Sequence, residues 1–345
     1  MQNKKNKIPL IILIGLIVAS SSWYIFQGSN DEGKELDKYE SEVKGAQDKN
    51  FKKDDLEDRN TVFNNFFPIV DFEPIKKDEA FDLVVPTAHA SLILDVDSGV
   101  ILHYQDGKET RQIASLTKMM TATMVVENID DLDELVTIDE DSMYVDGTKV
   151  GCPRSGYCIG TRLQKGEKIS VRSLLKAMLM NSANDAATAL GKHVGGSVDE
   201  FVIMMNARAK ELGLADSHFC TPSGLETDGK EETCYSTAYD IARIAAHSMK
   251  YDIVWNIMQT SETIVYSADK KYSHKLGNTN QLLGQMPNCL GGKTGFTPLA
   301  GKSLLMGAID PTKKHRVIAV VLDDPYRWED ARKMFQWAFE SYDWK

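Results

Sequence analysis

Positive charge is in short supply. Forty Lys and Arg stand against 50 Asp and Glu, giving a formal net charge of -10 and a pI near 5.3. Phosphate binding needs a basic surface, so this balance argues against nucleic acid as a partner. Cysteine is also scarce: only Cys152, Cys158, Cys220, Cys234 and Cys289 occur. None lies near the N-terminus, which excludes an N-terminal lipid anchor. No second ligand pair with metal spacing accompanies Cys152 and Cys158, which argues against a zinc knuckle. The seven histidines are scattered, and no Gly-x-Ser-x-Gly elbow exists, which removes a Ser-His-Asp hydrolase. His218 reads as a structural hydrogen-bonding residue. There is no internal repeat. At 42% apolar and 26% charged residues, the rest is ordinary globular chemistry for 345 residues.

One apolar run is long. Lys4, Lys5 and Lys7 precede residues 8–26, a stretch just long enough to span a bilayer, with Trp23 and Tyr24 where an aromatic belt belongs. The expectation is a cytoplasmic tail over residues 1–7 and a signal-anchor over 8–26. The alternative is a signal peptide cleaved around Ala19-Ser20-Ser21. Either reading exports everything that follows, to the outer face of the cytoplasmic membrane. Residues 27–60 hold eleven Asp/Glu and seven Lys/Arg with few apolar side chains, so they read as an extended stalk. Residues 62–85 are more apolar and complete a stalk and linker over 27–85. In an exported chain, close cysteine pairs read as disulfides. Pairing nearest neighbours joins Cys152 to Cys158 and Cys220 to Cys234 and leaves Cys289 free. Reduced, buried thiols throughout are the alternative.

The folded domain is expected over residues 86–345. Residues 90–96 and 100–104 are β-type runs around Asp97-Ser98-Gly99, a hairpin turn. A helix is predicted from near Ser115. Leu174, Leu175, Met178 and Leu179 recur at helical spacing, as do Phe201, Met204, Met205, Ala209 and Leu212. Thr237 and Asp240 have capping-box spacing. Strands return over 303–309 and 316–322, and Trp328, Ala331, Met334, Phe335, Ala338 and Tyr342 stripe a final helix. Strands at both ends and helices between them predict an α+β fold: an antiparallel sheet flanked by helices, with an all-helical insert.

Three short elements carry chemistry. In Ser115-Leu116-Thr117-Lys118, serine and lysine share a helix face, so the amine reaches the hydroxyl. Serine needs a base, and lysine becomes one when burial or a neighbouring cation lowers its pKa. Ser182-Ala183-Asn184 sits in a turn between helices, where its hydroxyl can relay a proton and its amide can hold a substrate amide. Lys293-Thr294-Gly295 suits an edge strand beside a cleft: Lys293 supplies charge for a carboxylate and depresses Lys118, while Gly295 admits a ligand close to the backbone. The elements lie 67 and 111 residues apart.

In this order the three resemble the penicillin-recognising serine peptidases. The longer stretches 113–121, 181–187 and 292–297, with Pro222-Ser223-Gly224-Leu225, are similar to the low-molecular-weight D-alanyl-D-alanine carboxypeptidases. That resemblance implies Ser115 as nucleophile, Lys118 as its base and Ser182 as proton relay. It implies Asn184, Lys293, Thr294, Gly295, Phe296 and Thr297 on the substrate, with the N–H groups of Ser115 and Phe296 as oxyanion hole. It implies no metal or cofactor, a peptidoglycan stem peptide as substrate, β-lactams as inhibitors, and a membrane partner through residues 8–26. It leaves a DD-endopeptidase, or a wall-binding protein without turnover, as alternatives. A class A β-lactamase fits less well, because Ala183 stands where aspartate is usual and Glu211-Leu212-Gly213 offers no deacylating motif. The two cysteine-bracketed loops depart from the family pattern.

Overall fold

The Asp97-Ser98-Gly99 turn closes as a hairpin, with Gly99 at φ 77°, and the strands it joins open a sheet that the C-terminal third completes. The computed structural model describes residues 72–152, 158–226, 229 and 231–344, all within the unit Lys52–Lys345. The readings of residues 1–60 lie outside the described residues. Among the described residues, no helix is long and apolar enough to cross a membrane.

In chain order the strands and helices are β1 Ile75–Lys76, β2 Ala90–Asp95, β3 Ile101–Gln105, α1 Lys118–Asn128, β4 Leu135–Thr137, α2 Glu140–Met143 and β5 Lys168–Ser170. Then come α3 Val171–Met180, α4 Asn184–Gly195, α5 Val198–Glu211, α6 Ala238–Ser248 and α7 Asp252–Gln259. The chain finishes with β6 Glu262–Tyr266, β7 Ser273–Gly277, β8 Cys289–Thr297, β9 Gly301–Ile309, β10 Arg316–Leu322, α8 Arg327–Ser341 and β11 Tyr342–Asp343. The main sheet has the order β3-β2-β10-β9-β8, antiparallel at every step.

Both faces of this sheet are covered, which explains why β10 reads as the nearly unbroken apolar run Arg-Val-Ile-Ala-Val-Val-Leu. Ile318, Val320 and Leu322 face the central helices together with Leu92, Leu94 and Leu305. Val317, Ala319 and Val321 face the opposite way, onto Ala331, Met334, Phe335 and Ala338 of α8. Each such side chain contributes about 1.5–3 kcal/mol on full burial, so this sandwich fixes strand register firmly. Thr237 caps α6 as its spacing predicts, accepting from Asp240 N at 3.0 Å.

Three expectations need correction. The insert is not all-helical: β4 pairs with β5, and β6 with β7, as small antiparallel ribbons. In the second, Thr263 and Val265 alternate with outward-facing polar and apolar residues, a half-buried pattern too short to stand out. The boundary at residue 86 falls too late, because Ile75 and Lys76 pair with Asp343 and Tyr342. A two-residue strand has no periodicity to read. The α-helix starts at Lys118, three residues after Ser115, which instead occupies a tight 3-10 turn over Ala114–Thr117. Residues i and i+3 eclipse in a 3-10 turn, so the tighter start brings Ser115 and Lys118 together.

Candidate active site

The 3-10 turn that carries Ser115 is pressed between β8 and the loop after α5. Ala114 has a positive φ of 47°. A Cβ on Gly295 would meet the Ile113 carbonyl oxygen at 2.8 Å and Leu116 Cγ at 3.2 Å. Gly295 therefore admits the serine's own turn to the strand, rather than a ligand. On the other side, Gly224 has φ 77°, and a Cβ there would stand 1.9 Å from the Ala114 carbonyl oxygen and 2.6 Å from Thr117 Oγ1.

Between these walls Lys118 is fully buried. Its Nζ lies 2.7 Å from Ser115 Oγ, 2.7 Å from Asn184 Oδ1 and 2.6 Å from the Ser223 carbonyl oxygen. Burial, then the nearby Lys293 charge, holds its pKa well below the ordinary lysine range, with Asp185 opposing. A neutral amine so placed can take a proton from the Ser115 hydroxyl. Two of its three contacts are anchored elsewhere: Asn184 Nδ2 donates to the Asp146 carbonyl at 2.7 Å, and Thr121 Oγ1 ties the Pro222 carbonyl at 2.7 Å.

Ser182 sits in the short turn between α3 and α4 with a left-handed φ of 58°. Lys293 Nζ donates to Ser182 Oγ at 2.8 Å and to the Thr294 carbonyl at 2.9 Å. Burial, then the nearby Arg327 charge, lowers the Lys293 pKa to about 7. Arg327 in turn donates to the Gly295 and Ser303 carbonyls at 2.9 and 3.2 Å, pinning the end of β8. Thr294 Oγ1 pairs with Thr279 Oγ1 at 2.8 Å, Phe296 is half-buried, and Thr297 is buried against Glu226.

The structure thus forms two hydrogen-bonded groups, Ser115–Lys118–Asn184 and Ser182–Lys293, with Thr294–Thr297 running on along β8 from Lys293. Asn184 stands closer to Lys118 than expected of a ligand-holding amide: its oxygen is committed to Lys118, leaving only part of its NH2 group for a ligand. His218 stays structural, its Nδ1 bonding the Thr233 carbonyl at 2.6 Å. Glu211 ends α5 paired with Arg208 at 2.9 Å. Disulfides join Cys152 to Cys158 and Cys220 to Cys234, and Cys289 is free. The Ser223 carbonyl and Glu226 escaped sequence reasoning. Pro222-Ser223-Gly224 was visible as a characteristic stretch, but a carbonyl's role leaves no side-chain signature.

Residues 79–326 match the family model described as D-alanyl-D-alanine carboxypeptidase. The D-alanyl-D-alanine carboxypeptidase DacF of Bacillus subtilis is 32% identical over 264 residues, 74% of this chain and 63% of that protein. The chain therefore spans under two thirds of that relative's length. The D-alanyl-D-alanine endopeptidase of Escherichia coli is 29% identical over 72% of this chain and 76% of its own length. The crystal structure of the Streptomyces K15 DD-transpeptidase aligns with a TM-score of 0.67 at 28% identity, over 76% of this chain and 100% of that one.

Proposed function

The chain belongs to the D-alanyl-D-alanine carboxypeptidase family, and from that premise we propose that it is a serine DD-peptidase of the cell envelope. Its substrate is the peptidoglycan stem peptide, and β-lactams acylate the same serine. The observation that carries this reading is the buried Lys118 amine 2.7 Å from Ser115 Oγ, with its pKa depressed. The substrate lies along the outer edge of β8, its terminal carboxylate toward Lys293 and Thr294. Its scissile carbonyl oxygen faces the N–H groups of Ser115 and Phe296. Lys118 takes the Ser115 proton as Oγ bonds the carbonyl carbon, and the carbon–nitrogen bond then breaks. Lys118 gives up that proton, which reaches the departing amine through Ser182, so Lys118 is neutral again for the second half of the reaction. Water, deprotonated by Lys118, releases the shortened peptide from Ser115. Residues 8–26 would hold the enzyme at the membrane and residues 27–71 would set it off from the surface. The E. coli endopeptidase likeness keeps cross-link cleavage as the second reading.

Incubation of the full chain with a fluorescent penicillin, followed by peptide mapping, tests this. One covalent adduct is expected, on the peptide that contains Ser115. A pentapeptide ending in D-alanyl-D-alanine should lose one D-alanine. A folded protein that never labels overturns the reading, and rapid loss of the label indicates a β-lactamase. A cross-linked dimer, cleaved faster than the pentapeptide, would select the endopeptidase.

The two lysines also set a pH profile. Lys293 attracts the substrate carboxylate only while protonated, and its pKa of about 7 means that charge is lost as pH rises through neutrality. kcat/KM, which reports the free enzyme, should therefore fall on an alkaline limb near pH 7. The limb in kcat should lie higher, because a bound carboxylate stabilises the ammonium. Lys293→Arg keeps its charge at any accessible pH, so the alkaline limb should disappear from its profile even if its rate is lower. A limb unmoved in Lys293→Arg would assign it to another group.

A further inference from the structure

The Thr297 hydroxyl donates to Glu226 Oε1 and accepts from Ala300 N at 3.1 Å, so it has no proton left to offer a substrate. Glu226 Oε2 has no hydrogen-bond partner among the described residues, and the side chain is partly exposed. The carboxylate is held in place from its own loop. Thr221 Oγ1 donates to the Leu225 carbonyl at 3.0 Å and accepts from Gly224 N at 3.0 Å, and Leu225 N donates to Ser223 Oγ at 3.3 Å. The Cys220–Cys234 disulfide closes the loop around Glu226.

Its place along β8 decides what it meets. β8 is an edge strand, and Lys293, Phe296 and Thr297 follow one another toward its C-terminal end. With the leaving group's carboxylate at Lys293 and the scissile carbonyl at Phe296, a substrate on this edge runs antiparallel to the strand. The part of the peptide that precedes the acyl D-alanine then extends past Thr297. Glu226 is therefore on the acyl side of the scissile bond, at the far end from the terminal carboxylate. A fixed, partly desolvated carboxylate at that position favours a cation and disfavours a neutral amide. Resting on the Ser115 reading above, we infer that Glu226 is a specificity-determining residue that selects acyl donors carrying a free side-chain ammonium on the residue before the D-alanyl pair.

The experiment uses two pentapeptides that end in D-alanyl-D-alanine and differ at one group, a lysine in third position with its side-chain amine free or acetylated. Wild-type kcat/KM should favour the free amine by about 5-fold, the effect of one well-placed ion pair. The preference should shrink in 1 M salt, where the Debye length is about 3 Å. Glu226→Gln keeps the acceptor for Thr297 but removes the charge, and its ratio should fall to about 1. Glu226→Asp should retain part of the preference. Penicillin labelling of every variant reports whether Ser115 functions. A wild-type ratio near 1, or a ratio that survives in a labelling-competent Glu226→Gln, overturns the inference. A wild type that neither labels nor turns over either peptide removes the Ser115 reading and the inference with it.

Discussion

Replacing Lys118 by methionine is expected to slow acylation of Ser115 by about 10⁴-fold, the upper range for losing a general base that also orients its nucleophile. Replacing it by arginine should cost nearly as much. The comparison is informative because the two side chains fail for different reasons. Methionine has the length but no lone pair of useful basicity. Arginine retains positive charge yet does not deprotonate in a protein, and its fork does not fit three acceptors spaced around a single nitrogen. If Lys118 acted through its charge alone, arginine would preserve much of the rate. Stopped-flow acylation by a chromogenic β-lactam gives the rate. Circular dichroism is needed beside it, since Asn184 Oδ1 and the Ser223 carbonyl lose their buried donor in the methionine variant. Each orphaned acceptor costs about 1–3 kcal/mol, partly offset because a buried amine no longer has to be desolvated. A folded Lys118→Arg that acylates within ten-fold of wild type would remove Lys118 as the base.

Gly224→Ala should be severely damaging for a single added methyl. The left-handed backbone at φ 77° costs a non-glycine residue about 1–2 kcal/mol. The added Cβ also meets main-chain oxygen at 1.9 Å, where no rotamer change relieves it. Together these predict a loss of about 3 kcal/mol or more in denaturant unfolding. The strain falls on the two segments that define the site, so acylation should drop as well: moving Ala114 moves Ser115, and moving Ser223 loosens Lys118. Gly166 supplies the control. It has φ 78° with nothing within 4 Å of an added Cβ, so its alanine variant should lose only the conformational part. Equal losses at both positions would show that the contact with Ala114 carries no weight.

The sequence exposed side-chain chemistry well and main-chain chemistry poorly. Ser115, Lys118, Ser182 and Lys293 could be singled out in advance because each carries a functional group found in few residue types, at spacings that secondary structure constrains, and the fold sets Ser115 beside Lys118 and Ser182 beside Lys293. The C-terminal helix was equally plain, since Ala331, Met334, Phe335 and Ala338 repeat on one face. The Ser223 carbonyl has no such mark, because every residue carries one. Gly295 was misassigned for a related reason: glycine signals a close approach without saying what approaches. Asn184 illustrates a third difficulty. Its amide is polar enough to hold a substrate, and only the fold reveals that Lys118 claims its oxygen. The small ribbons were missed because strands of three to five residues offer too few alternations to distinguish from a loop.

The main sheet joins β2 to β10, so that Asp95 lies opposite Val317 and Ala90 opposite Leu322. Neighbouring strands at its centre are thus drawn from opposite ends of the domain, and the central helices must be in hand before they meet. Closing so long a loop is entropically costly, and domains dominated by such distant pairings assemble slowly. The two disulfides are the opposite case, bridging only 6 and 14 residues. An unfolded chain can therefore form both rings long before it has a sheet. The loop bearing Ser223 and Glu226 is closed early, while the strand bearing Lys293 reaches it only when β10 has locked β9 and β8 to β2. A pulse of oxidant during refolding should accordingly capture both cysteine pairs at a stage when no penicillin is yet bound.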